Sequence, residues 1–128
     1  MKLRIHDNSI RLRLTRSEVA RFAAAGAIEG AIEFGPLPNQ RLTYGLESSP
    51  QAAGLEVRLD ERRVTIVLPE PAAKAWTEGD EVGVKGTQSL GEDKQLDILV
   101  EKEFRRMHGA KPNPDLYPNP LESKSVPG

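Results

Sequence analysis

The chain has 128 residues, with 18 Lys+Arg against 19 Asp+Glu and a formal net charge of −1. That balance excludes a global field drawing the chain to nucleic acid or membrane, so any such attraction must come from a local patch. There is no cysteine, which excludes disulfide and thiolate chemistry, and the length is that of one domain.

The first elements are two alternating runs. Leu3 and Ile5 alternate with Lys2, Arg4 and His6; Ile10, Leu12 and Leu14 alternate with Arg11 and Arg13. Period-two alternation predicts strands with one buried face, and Asp7-Asn8-Ser9 between them predicts a tight turn. Thr15-x-x-Glu18 reads as a capping box that opens a helix. Val19, Phe22 and Ala23 give that helix its buried stripe, and Gly26 ends it. Ile28, Ile32 and Phe34 predict a third strand, and Leu42, Tyr44 and Leu46 a fourth. A pairing of Phe34 with Leu42 puts Ile32 opposite Tyr44.

The same order then recurs. Leu55, Val57 and Leu59 face Leu68, Ile66 and Val64 across a turn at 60–63. Pro71 suits the first turn of a second helix, Trp76 anchors it and Gly79 ends it. Val82 and Val84 start a strand, 91–94 turn it, and Leu96, Ile98, Val100 and Phe104 complete the unit.

Shifted by fifty-four positions, the chain matches itself without a gap. Leu3 meets Val57, Leu12 meets Ile66, Phe22 meets Trp76, Ile28 meets Val82, and Tyr44 meets Ile98. A fixed period dictates architecture. We therefore expect a strand-rich α+β domain over 1–104, an internal duplication of a ββαββ unit (about 1–50 and 54–104). The two halves would be related by a pseudo-twofold axis, as a closed barrel or paired sheets, since closure removes exposed strand edges. Such a fused pair needs no second chain to complete its core, so a monomer or a homodimer is expected. Residues 105–128 carry Pro112, Pro114, Pro118, Pro120 and Pro127 and predict an extended or disordered tail. The start of the chain lacks an apolar h-region, and no run has transmembrane length, so a soluble cytoplasmic protein is expected, with no membrane partner.

Candidate chemistry is sparse. Arg11 and Arg13 share one strand face, with Arg4 beside them; Arg58, Arg62 and Arg63 cluster on the matching strands of the second half. Guanidinium forks suit phosphate and base edges, so these six form the candidate nucleic-acid surface, with double-stranded DNA as the partner. A solvated strand face that blunts edge pairing is the plainer alternative. Leu116 and Tyr117 are the tail's apolar pair and a candidate dock, onto the body or onto a protein partner. His6 and His108 have no metal-ligand spacing, so neither a metal nor another cofactor is expected. Glu101 and Glu103 are expected on the outer, solvated face. No catalytic set is readable from residue order, because such sets are recognised by geometry. An enzyme with a cleft between the halves is the third class, after a binding module and an accessory protein.

Two resemblances follow from these residues. Arg63-Val64-Thr65-Ile66-Val67-Leu68-Pro69, a short helix and then Glu78-Gly79-Asp80-Glu81-Val82 resemble the swapped-hairpin family of bacterial regulators and antitoxin DNA-binding domains, the MazE and SpoVT type. That resemblance implies paired ββαββ units and DNA binding. SIRLRLTRSEVARF (9–22), ILVEKEF (98–104) and Tyr117-Pro118-Asn119-Pro120 resemble a family of short bacterial proteins of uncharacterised function, which implies no activity or site.

Overall fold

In the computed structural model, which describes residues 1–104 and 113–118, the alternating runs are strands. β1 (Lys2–His6) and β2 (Ser9–Leu14) pair antiparallel, Leu3 opposite Leu12 and Ile5 opposite Ile10. Asp7 turns the hairpin with φ 48°, a left-handed conformation that a short polar side chain tolerates. α1 (Arg16–Ala25) opens with the Thr15 N–H donating to Glu18 Oε1 at 2.9 Å. It closes at Gly26, whose φ of 78° suits a residue without Cβ and whose N–H bonds Phe22 O at 2.7 Å.

β3 (Ala27–Glu33) and β4 (Arg41–Ser49) make the second hairpin. β5 (Glu56–Asp60) and β6 (Arg63–Pro69) pair with Leu59 opposite Val64 and Val57 opposite Ile66, as the sequence predicts. α2 (Glu70–Glu78) follows, then β7 (Gly83–Gly91) and β8 (Lys94–Lys102).

The hairpins do not stay within their own halves. One sheet runs β1-β2-β8-β7 and the other β3-β4-β6-β5. β2 runs parallel to β8, and β4 parallel to β6. Exchanging β1–β4 for β5–β8 in order turns one sheet's strand order into the other's. Register follows too: Leu12 lies beside Val100, and Ile66 beside Leu46, at the fifty-four-residue shift.

Three expectations need correction. Of the barrel and the paired sheets expected, the barrel does not close and two four-stranded sheets form instead: ladders stop at β1 and β7 in one sheet and at β3 and β5 in the other. Where β5 approaches β7, the Gln88 side chain rather than a backbone carbonyl accepts the Val57 N–H, at 2.8 Å. The β3–β4 register is two residues tighter than expected, with Ile32 opposite Leu42 and Gly30 opposite Tyr44. A short 3₁₀ turn at Pro38–Gln40 lets the Phe34 N–H reach Gln40 O at 2.6 Å and leaves Phe34 exposed. Finally, Val84, not Val82, takes the place of Ile28: Ile28 pairs with Leu46, and Val84 with Val100. In the first half Gly26 alone turns helix into strand. Gly79 has φ −103° and makes no left-handed turn, so the second half uses Gly79–Val82.

The inner faces and both helices share one core, including Leu12, Leu14, Phe22, Leu46, Ile66, Leu68, Trp76, Ile98 and Val100. Phe22 and Trp76 meet at 6.2 Å between ring centroids and a 58° tilt, a favourable edge-on geometry. Among the described residues no helix is long and apolar enough to cross a membrane.

Glu18 ties the chain start to α1, because the Met1 amine also donates to it. Burial pushes this carboxyl up, but the bonds from the amine and from Thr15, with the amine's charge, outweigh burial and hold it below its ordinary 4.5. A carboxyl held low in the fold stabilises fully above its unfolded pKa and progressively less below it. Urea midpoints of the wild type and of Glu18→Gln are expected to differ at neutral pH and to converge as the pH falls below 4.5. Parallel curves down into acid would rule out Glu18 as the titrating contact.

Candidate functional site

The outer face of the β1-β2-β8-β7 sheet carries the clearest chemistry. Ile10, Leu12 and Leu14 point into the core, so Ser9, Arg11 and Arg13 point out. β1 adds Lys2, Arg4 and His6 to this face, because Lys2 stands opposite Arg13, Arg4 opposite Arg11 and His6 opposite Ser9. β8 adds Asp97, Leu99 and Glu101 beside Ser9, Arg11 and Arg13. The Asp7-Asn8 turn is tied down from outside the hairpin: Asn8 Nδ2 donates to Gln95 O at 2.6 Å, and the Asp97 N–H donates to Asn8 O at 3.1 Å.

Two arginines directly opposite one another repel. The sheet offsets part of that with carboxylates from β8 and just beyond it. Glu101 Oε1 lies 2.6 Å from Arg13 Nε and 3.5 Å from Arg11 Nε, and Glu103 takes Lys2. Among the described residues Arg4 and Lys85 make no ion pair. Both line a shallow depression of about 380 Å³, with Arg11, His6, Ser9 and Asp97 around it. The face thus keeps a positive excess on rigid strands.

Arg58, Arg62 and Arg63 lie elsewhere. Arg58 and Arg63 are on the outer face of the other sheet, and carboxylates surround them. Arg58 is 2.9 Å from Glu56 and 3.7 Å from Glu47, and Arg63 pairs with Glu29. Arg62 is in the β5–β6 turn, where its carbonyl accepts the Thr43 N–H at 2.8 Å. The structure therefore brings Arg4, Arg11 and Arg13 together and leaves Arg58, Arg62 and Arg63 as a separate set. His6 Nδ1 and Asp7 Oδ2 are 3.5 Å apart on the exposed turn.

The strand end around Glu101 departs from its expected solvation. Glu103 is buried, and Glu101 is mostly covered by the two arginines. Lys102 is buried too, 7% exposed, its Nζ donating to Gly79 O at 2.9 Å at the end of α2. Burial pushes this ammonium below its ordinary 10.5, against the pull of Asp80 and Glu81. The alternation Ile98, Val100, Lys102 already points Lys102 inward, a signal the sequence contains.

Lys102 lies next to the tail, which accounts for its cover. Tyr117 bridges Phe104 in parallel, and its N–H donates to Glu103 O at 2.9 Å. Its ring lies 5.9 Å from that of Phe104, with the Arg16 guanidinium at 5.5 Å and the Lys102 ammonium at 5.4 Å. Burial raises the Tyr117 hydroxyl above its ordinary value. Asp115 accepts from the Ser17 hydroxyl at 2.7 Å and the Ser17 N–H at 2.9 Å, bonds that hold its carboxyl below its ordinary 3.8. Asp115 and Tyr117 thus seat on the chain's own body, while the Leu116 N–H bonds Asn113 O within the segment at 3.1 Å; the remainder of the tail, 105–112 and 119–128, lies outside the described residues.

No curated protein matches the chain, and no solved structure does. What does match is a family model, over residues 1–121, and the chain belongs to that family, a family of unknown function (DUF7009).

Proposed function

We propose that the chain is a non-enzymatic binding module that takes a polyanion, with double-stranded DNA as the first candidate, on the outer face of the β1-β2-β8-β7 sheet. The observation that supports this reading is the Arg4–Arg11 pair. The two are direct cross-strand neighbours, and like charges placed directly opposite one another destabilise a sheet. Glu101 offsets the repulsion at Arg11 only in part, and local rules left incompletely compensated are expected at functional sites. A phosphate over Arg4 and Arg11, with Lys85 across the depression, would relieve the repulsion. The ion-paired arginines of the other sheet are not part of this surface.

The exchange of hairpins between halves supports two further parts of the reading: descent from one duplicated ββαββ unit, and kinship with swapped-hairpin regulators. Kinship of fold is a weak warrant for function, so the charge arrangement carries the proposal.

Binding of purified protein to mixed-sequence duplex DNA, titrated against salt, tests it. Three or four neutralised phosphates give a log–log slope of about −3. Absence of binding at low salt, or binding indifferent to salt, contradicts the proposal.

A further inference from the structure

We propose that the groove between the N-terminus of α1 and the end of β8 is a peptide-acceptor site for a partner's acidic–aromatic segment of the form Asp-x-Tyr. The chain's own Asp115–Tyr117 fills it in cis, and a partner must displace that segment. What the site holds shows what it recognises. Its contacts fall in two sets, one at each end of a three-residue stretch.

At one end the site reads a carboxylate. Asp115 takes both the hydroxyl and the N–H of Ser17, and its carbonyl takes the Arg16 N–H at 2.8 Å. The two N–H groups belong to the first turn of α1 and have no partner within the helix, and negative charge is favoured there. At the other end the site reads an aromatic ring. Arg16 and the buried Lys102 both lie near the Tyr117 ring, and Phe104 tilts against it at 57°. Cations over a ring are most effective where desolvated, and Lys102 is fixed there by Gly79 O. Between the two ends, the Tyr117 N–H bonds the backbone of Glu103, as in strand addition to a sheet. None of these contacts requires the ligand to be covalently joined to the body.

The join matters for competition. The seated segment belongs to the same chain as the site, so it competes intramolecularly with any free peptide. A free peptide therefore meets a site mostly occupied, and its apparent affinity falls by the fraction of sites left open. This separates the site from the cationic sheet face, and neither proposal depends on the other.

The test uses the intact chain and an opened variant, Asp115→Ala/Tyr117→Ala. The probe is a fluorescein-labelled peptide of residues 113–118, Asn-Pro-Asp-Leu-Tyr-Pro, read by anisotropy. The opened variant is expected to bind saturably, and at least about tenfold tighter than the intact chain. A probe with Ala in place of Tyr is expected not to bind. No binding by a folded opened variant overturns the proposal, as does equal binding by both proteins. A dimer of the intact chain that disappears in the opened variant also overturns it, in favour of exchange between copies. If the variant does not fold, excess unlabelled peptide is added to the intact chain and the Ser17 amide resonance is followed. Displacement moves that resonance, and an unmoved resonance at saturating peptide overturns the proposal.

Discussion

Replacing Trp76 by alanine is expected to destabilise the fold by about 3–5 kcal/mol, the range for large buried aromatics. Trp76 is 0% exposed, meets Phe22 edge-on, and donates from Nε1 to Val82 O at 3.2 Å. Truncation would open a cavity between the two helices and remove one of the bonds that hold the Gly79–Val82 connection, leaving those from Lys102 to Gly79 O and Val82 O. A domain of this size has about 5–15 kcal/mol in all, so the variant is expected to lose a large part of its stability. Urea unfolding followed by far-UV circular dichroism measures the change. A loss under about 1 kcal/mol would show that the aromatic pair does not organise this core.

Splitting the chain between the halves is expected to have a still larger effect. Residues 1–53 and 54–118, made separately, should be unfolded as monomers and should fold when mixed. The reason is topological: β2 finds its inner neighbour in β8, and β4 finds its own in β6, so neither half contains a complete sheet. Each half alone would be left with two hairpins and one helix, too little buried surface for a domain of about fifty residues. Circular dichroism and dispersion of amide resonances read the outcome. A monomeric half with a cooperative thermal transition would contradict the interlocked account.

Much of this fold is legible in the sequence, because alternation reports which side of a strand is wet and the fifty-four-residue period reports which strands are alike. Leu3, Leu12, Val57 and Ile66 occupy equivalent cross-strand pairs, and Phe22 and Trp76 equivalent helix positions. What the period hides is a local change of length. Ile28 and Val84 are counterparts in the register although fifty-six residues apart, because the second helix exits without a left-handed glycine. Turn geometry hides in the same way: the 3₁₀ turn at Pro38–Gln40 sets the β3–β4 register, and apolar matching alone prefers another.

The candidate site was legible only in part. Arg4, Arg11 and Arg13 could be placed on one face by counting along two strands joined by a short turn. The environment of Arg58 and Arg63 could not. The glutamates that neutralise them include Glu29 and Glu47, on strands whose proximity depends on β4 lying beside β6. Glu101 reaches Arg13 for the same reason, through the parallel β2–β8 pairing of the chain's two ends. Charge counts along a sequence see the cations and miss partners that arrive from distant strands.

One sheet face, and not the other, is proposed to meet the polyanion. The most direct test compares duplex DNA binding at low salt by Arg4→Ala/Arg11→Ala and by Arg58→Ala/Arg63→Ala. The account predicts that the first variant loses affinity and about two units of salt slope, while the second binds as the wild type does. Equal loss in both, or loss confined to the second, would contradict it.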